Sequence, residues 1–518
     1  MQDKWKVLAT VTIGSLMGAI DSTVLIIAFP QIAQELHSSL VAMVWVLLIY
    51  ILIGTALVLS FGRVADMKGR KRLYLAGFTV FIVGSALCGL AQSVTQLIAF
   101  RGIQGVGGAL LLSNSFAILS DAFPPNERGR AFGINSVVWG SGTVLGVIFG
   151  GLILSVTTWR WIFWINVPIG VAAVLLVVAV IRESVTQNPQ DTFDFPAAAL
   201  FTGALALLLL GLSEGILTGW TAPGTLAALA SAFPLFVGFC FWEARVSRDP
   251  ILPLGLFRNW LFSASLVALV LQGVALFSTN LLLMIYLQGI RGIPVLTAAF
   301  LLVPLSVALA VVGPLGGRWS DRHGARILST IGLLVQGSAL FLLSTITGAT
   351  SLWDVALCEA LLGAGGGLFY PANAAAIMGA VSRNRHGVAS GVLMTVRNSS
   401  IALSFAVGLA AMTTQLPGGT AAILLGGAFG PATIAQLQLT PLQLGQQFLG
   451  GMQLAFRLSA TLMAVGAVFS AIRGRENRST QPMEAPPANA TVEVRAVDAP
   501  TLSVHASATP TMGFEEKL

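Results

Sequence analysis

Fourteen predominantly apolar stretches of 18 residues or more follow one another along this 518-residue chain, at about 7–30, 41–61, 73–92, 96–120, 131–155, 161–181, 196–215, 225–242, 262–287, 295–316, 327–346, 353–378, 387–411 and 450–472. A stretch of that length spans the hydrocarbon core of a bilayer as an α-helix, which satisfies every backbone N–H and C=O within one segment. The pattern predicts an all-α integral membrane protein of fourteen transmembrane helices. With 55% hydrophobic and only 9% charged residues, the chain lies far from the roughly 25% charged usage of soluble domains. Lys4 and Lys6 ahead of the first stretch resemble the start of a signal peptide. The stretch is too long for one, carries Asp21 and precedes many further spans, so it is read as the first membrane helix.

The formal charge of +7 invites a nucleic-acid reading. The basic residues, however, fall in every second short loop, the pattern of cytoplasmic loops in a polytopic protein. Arg63, Lys68, Arg70, Lys71 and Arg72 share one loop, Arg128 and Arg130 the next, and Arg473, Arg475 and Arg478 the last. An even number of spans then puts both termini in the cytoplasm. The plain N-terminus, without a transit peptide, suits a prokaryotic inner cell membrane. Residues 474–518, rich in Pro, Ala, Thr and Ser, are expected to form a disordered cytoplasmic tail. The outer segment 412–449, without Lys or Arg, is expected to hold a short interfacial helix.

Two sets of residues recur at nearly the same shift. Gly62-Arg63-Val64-Ala65-Asp66-Met67-Lys68-Gly69 returns 255 positions on as Gly317-Arg318-Trp319-Ser320-Asp321-Arg322-His323-Gly324. Gly105, Gly107, Gly108, Gly129 and Gly133 return 258 positions on as Gly363, Gly365, Gly366, Gly387 and Gly391. A duplication follows: an N-terminal six-helix half (1–185), an inserted helix pair with its linkers (186–260) and a C-terminal six-helix half (261–473). Parallel halves of this kind place a cavity at their interface near the bilayer midplane.

Gly62 to Arg72 resembles the signature between helices 2 and 3 of the major facilitator superfamily. Asp21 to Pro30, Trp159 to Gly170 and Arg101-Gly102-Ile103-Gln104-Gly105 are similar to stretches of its fourteen-span drug:proton antiporters, the multidrug efflux permeases. The resemblance implies the major facilitator fold and export of hydrophobic or cationic small molecules against inward proton flow; the alternative on the same fold is export of one specific metabolite, lipid or siderophore, or uptake. Helix 5 departs from the group's antiport signature, with Val147 in place of a proline. Gly142, Gly146 and Gly150, with Gly151, still place small residues for a close helix crossing.

In the repeated turn, Asp66 has the chemistry to pair with a nearby Arg or a helix N-terminus, and with Gly62, Arg63, Gly69, Arg70 and Asp321 it makes a candidate cytoplasmic gate. The simpler alternative is a basic loop that only sets topology. Charges inside membrane helices cost several kcal/mol unless paired or hydrated, and so point to function. Asp21 lies roughly 13 Å from the outer end of helix 1 and Arg101 roughly 8 Å into helix 4 from the same side, depths that allow an ion pair. If the pair parts in one conformation it couples protonation to shape; if not, it is a structural bridge. Glu359 stands where Arg101 stands in the first repeat, a carrier of a proton or a contact for a cation, or else a shielded edge residue. Asp21, Gln104, Glu359 and Arg397 are the candidate substrate-cavity residues, and Asp21, Arg101 and Glu359 the candidates for proton coupling.

The remaining chemistry is thin. His37, His323, His386 and His505 are assigned to loops or the tail, and Cys88, Cys240 and Cys358 each stand alone in a different stretch, which leaves no disulfide or metal pattern. Phosphate-loop and HExxH patterns are absent, so neither an ATP-driven pump nor an enzyme is expected. No cofactor is implied beyond the proton as coupling ion. The expected partners are a small-molecule substrate, protons and the lipid bilayer, with no nucleic acid and a monomer as the working assumption.

Overall fold

The apolar stretches are helical wherever the structure describes them. The computed structural model describes residues 4–38, 40–183, 192–217, 219–413 and 441–474, all within one compact unit that spans 1–476. Its helices are α1 (Lys4–Glu35), α2 (Leu40–Lys68), α3 (Arg70–Leu90), α4 (Val94–Ala122), α5 (Arg128–Val156), α6 (Trp161–Trp164), α7 (Asn166–Val180), α8 (Phe195–Leu217), α9 (Pro223–Arg245), α10 (Trp260–Ile285), α11 (Val295–His323), α12 (Ala325–Leu343), α13 (Leu352–Gly379), α14 (His386–Thr413) and α15 (Pro441–Ile472). Among the described residues there is no β-strand, and twelve helices are long and apolar enough to cross a membrane. Helices α5 and α14, of 29 and 28 residues, lie outside that count. The sixth stretch is broken between α6 and α7. Pro168 has no N–H to offer the carbonyl of Trp164 there, which loosens the helical ladder at that turn.

Burial separates central helices from peripheral ones. The membrane window of α4 is 83% buried and that of α9 only 22%. Helix α9 turns Phe233, Phe236 and Phe241 outward, 72%, 51% and 64% exposed. An aqueous surface would not carry such a face, and a lipid one does.

The duplicated glycines mark where helices touch. Helix α4 packs between α2 and α3, and α13 between α11 and α12. A Cβ at Gly105 would lie 2.9 Å from the Tyr50 carbonyl oxygen, and one at Gly365 would lie 2.6 Å from that of Gly332. Helices α8 and α9 pack on each other, and α8 also lies along α2 and α14, one helix from each proposed half. The two copies of the repeated turn end alike: Gly69 and Gly324 have φ of 107° and 94°, a region that side-chain-bearing residues avoid. They let α2 turn into α3, and α11 into α12, with no intervening loop.

Three expectations shift. Helix α15 starts at Pro441, not near 450, taking residues 441–449 from the expected outer segment. Proline suits the first helical position, where the missing N–H would have no partner anyway. The rest of that segment (414–440) and the tail from 475 lie outside the described residues. Neither His386, which opens α14, nor His323, which closes α11, is a loop residue. Gly151 takes no part in a helix crossing, because a Cβ there would meet nothing within 4 Å. Gly142 and Gly146 do, against Ala19 and Thr23 of α1, and Gly150 is buried.

Candidate functional site

At the basic end of the molecule the repeated turn of each proposed half reaches into the other. Asp66, at the end of α2, accepts the backbone N–H groups of Gly387 and Val388 at 2.8 and 2.9 Å. Asp321, at the end of α11, accepts those of Gly129 and Arg130 at 2.8 and 2.9 Å. Each carboxylate thus caps the first turn of a helix from the other side, where unpaired N–H groups and the helix dipole favour negative charge by about 0.3–2 kcal/mol. Glycine is required at these contacts. A Cβ at Gly62 would run into the carbonyl oxygen of Gly387, and one at Gly129 into that of Gly317.

The first copy carries more. Arg70 pairs with Asp66 at 2.5 Å and also with Asp121, and its Nη2 donates to the carbonyl of Arg383 at 2.8 Å. His386 Nδ1 and Arg383 Nε each lie 3.4 Å from Asp121 Oδ1. Asp66, Arg70 and His386 are buried. Arg63 is half-buried on α2, within electrostatic reach of Glu243 and Asp249. Asp121, Arg383 and His386 escaped the sequence reading. Their sequence signal was indirect: the glycine pair Gly129 and Gly387 marks both helix starts that the aspartates cap.

The second cluster lies among the N-terminal helices α1, α4 and α7. Asp21 on α1 forms a 2.6 Å ion pair with Arg101 on α4, and accepts hydrogen bonds from Gln104 Nε2 (2.9 Å) and Asn166 Nδ2 (3.2 Å). Arg101 is fully buried and lies 4.4 Å over the Tyr50 ring. It also donates to Gln104 Oε1 (2.7 Å) and the Val46 carbonyl (3.3 Å). Asn166 is held by Ser85 Oγ at 3.1 Å, so the break before α7 delivers an amide to the carboxylate. Asn166 lay within the stretch matched at the sixth span, but nothing in the sequence showed that it would face Asp21.

Glu359, on α13, is fully buried, and neither carboxyl oxygen has a hydrogen-bond partner among the described residues. It sits seven residues into its helix, as Arg101 does, yet the two environments differ completely. A cavity between α4, α5, α10, α11, α13 and α14 is lined by Asn135, Ser136, Tyr370, Asn373 and Arg397 with apolar neighbours. Of the four residues expected there, Arg397 lines it. Asp21 and Gln104 are turned into their own ion-pair cluster, and Glu359 is not on the lining.

A family model described as Major Facilitator Superfamily matches residues 11–405. The chain belongs to the major facilitator superfamily. It is 32% identical to the riboflavin transporter RibZ of Clostridioides difficile, over 79% of this chain and 88% of that protein. It is 34% identical to the tetracenomycin C resistance and export protein of Streptomyces glaucescens, over 68% and 66%. With multidrug resistance protein 3 of Bacillus subtilis it shares 30% identity, over 76% and 77%. The superfamily fold is also seen in solved structures. The human organic anion transporter MFSD10 superposes with a TM-score of 0.62 at 16% identity, covering 91% of this chain and all of that one. The proton:xylose symporter XylE superposes with a TM-score of 0.59 at 14% identity, covering 90% and 94%. This superfamily member is therefore a multi-pass membrane transporter and resembles the superfamily's drug-efflux group.

Proposed function

We propose that the chain is a proton-coupled exporter of hydrophobic small molecules that works by alternating access, with fourteen spans and both termini on the cytoplasmic side of the cell membrane. In this reading α1–α7 (1–185) and α10–α15 (261–473) are the two six-helix halves, α8 and α9 the inserted pair, and 474–518 a cytoplasmic tail. Asp66 and Asp321 latch the cytoplasmic side shut in this conformation. The Asp21–Arg101 pair carries the reading: a buried carboxylate whose partners lie on other helices is where movement between helices changes the need for a proton. Glu359 is the second candidate, because a buried carboxyl without hydrogen-bond partners among the described residues is costly to keep charged.

The export-named relatives support the direction. Transport of one specific metabolite is the second reading, favoured by the riboflavin transporter among the relatives. Drug-accumulation profiling in a pump-deficient host separates them. The expected result is lowered accumulation of several unrelated apolar compounds in cells that make the protein. Raised accumulation, or an effect confined to one compound, would replace the first reading.

A further inference from the structure

The hydrogen bonds around Asp21 run in fixed directions, and those directions separate its two oxygens. Ser85 Oγ of α3 donates to the Phe163 carbonyl at 2.9 Å. A hydroxyl has one proton to give, so toward Asn166 the same oxygen is an acceptor, taking Nδ2 at 3.1 Å. This settles which end of the Asn166 amide faces the carboxylate. Nδ2 also donates to Asp21 Oδ1 at 3.2 Å, whereas the turned amide would set oxygen against oxygen. Gln104 is oriented from the other flank: its Oε1 accepts from Arg101 Nη1 at 2.7 Å, which turns Nε2 to Asp21 Oδ1 at 2.9 Å. Among the described residues Oδ1 thus has two donors, and Oδ2 has Arg101 Nη1 alone, at 2.6 Å. All five side chains are buried. Tyr50 of α2, under the guanidinium, and Cys88 of α3, whose thiol donates to Gln104 Oε1 at 3.8 Å, are the other ionisable groups in electrostatic reach.

We infer that Ser85 and Asn166 are positioning residues for the coupled proton: they hold Asp21 Oδ1 as an acceptor whether the carboxyl is charged or neutral, and so reserve Oδ2 for the proton. This rests on the reading of Asp21 given above. A proton taken from water forms its O–H bond at Oδ2, and the hydrogen bond from Arg101 Nη1 to that oxygen breaks. Proton and guanidinium compete for one atom, and the pair passes from neutral to one positive charge. Arg101 stays tied to the Val46 carbonyl, Gln104 Oε1 and the Tyr50 ring, so it need only swing aside. The Gln104 amide is held by Arg101 and loosens when the guanidinium moves. The Asn166 amide is held by Ser85 and does not, which makes it the constant support of the carboxyl through the cycle. Asn166 also opens α7 directly after the break at Ile165, so the same amide links the state of Asp21 to the lie of that helix.

Infrared difference spectroscopy tests this, because the C=O stretch of a neutral carboxyl moves to higher frequency as its carbonyl oxygen loses hydrogen bonds. Acid-minus-alkaline spectra are to be taken on the full chain in nanodiscs, for the wild type, Asp21→Asn, Asn166→Leu, Ser85→Ala and Ser85→Thr, each with its thermal melt. The wild type should show a low-frequency carboxyl band that is lost in Asp21→Asn. Asn166→Leu, which removes the donor, should shift that band upward. Ser85→Ala, which leaves the amide to turn, should shift it by a smaller step, and Ser85→Thr, which keeps the hydroxyl, should leave it in place. A merely structural role would lower the melting temperature without moving the band. A band that stays put in both Asn166→Leu and Ser85→Ala, that moves as far in Ser85→Thr as in Ser85→Ala, or that stands in the wild type at the frequency of an unbonded carboxyl overturns the inference and leaves Asp21 as the coupling group. If Asp21→Asn removes no band, the inference falls together with the Asp21 reading, so the two failures are told apart.

Discussion

Asp21→Asn should reduce proton-driven efflux to near background at every pH, while energy-independent exchange of substrate survives. The amide keeps the shape of the side chain and its place beside Gln104 and Asn166, but it cannot gain or lose a proton. It also leaves Arg101 fully buried without its counterion, and breaking a buried pair from one side costs about 3–5 kcal/mol. Two effects are therefore expected, one on coupling and one on stability. The double variant Asp21→Asn/Arg101→Gln removes the orphaned charge and should recover thermal stability without recovering coupling. Asp21→Glu retains the ionisable group but must fit an extra methylene into a site with contacts of 2.6 and 2.9 Å, so partial activity is expected. The deciding measurement is substrate-induced proton release from detergent-solubilised protein, followed with a pH-sensitive dye. Equal release by the wild type and Asp21→Asn would shift the coupled proton to another group, with Glu359→Gln the next variant to test.

Gly62→Leu should abolish most transport while leaving membrane insertion intact. In the closed latch a side chain at 62 would occupy the place of the Gly387 carbonyl. The Cβ is fixed to one helix backbone and the carbonyl belongs to another, so relief requires the helices to move apart. Overpacking of this kind costs about 1–3 kcal/mol. Loaded on one conformation, it lowers that state's population, and with it turnover, by about five- to 150-fold. Gly151→Ala is the matched control, because a Cβ there meets nothing within 4 Å, and it should transport normally. Efflux assays at equal protein levels compare the two. Full activity in Gly62→Leu would mean that the contact is not part of the working cycle.

The helices were legible because lipid permits so few solutions: long apolar runs separated by charged loops leave little freedom in assignment. The repeat was legible because each copy kept its glycines where helices cross, as at Gly105 and Gly363. Pairing across the molecule was not. Asp121 and His386 are 265 positions apart, and nothing local in either tells that α14 begins against the end of α4. His386 was read as a loop residue because a helix start and a loop share the same polar composition. The cavity lining was misread for a different reason. Glu359 and Arg397 are both single charges in apolar helices, and which of them faces the interface depends on the rotation of α13 and α14, which an apolar pattern with little helical contrast does not encode.

The two seams at the basic end match in backbone but not in charge. Around Asp66 stand Arg70, Asp121, Arg383 and His386, whereas the duplicate positions around Asp321 hold Ala325, Gly379, Pro125 and Arg128. Parting the first seam separates a buried ionic cluster that the duplicate positions of the second do not repeat; parting the second releases, with the other contacts of Asp321, the N–H groups of Gly129 and Arg130. The inner mouth is thus expected to swing like a door and not to spread like an iris, the α5–α11 edge leaving its frame first and the α2–α14 edge acting as the hinge. Spin-label pairs across the two seams would register that order as unequal widening. An exporter opening in this way would take up its cargo obliquely, from the α5–α11 side of the membrane surface.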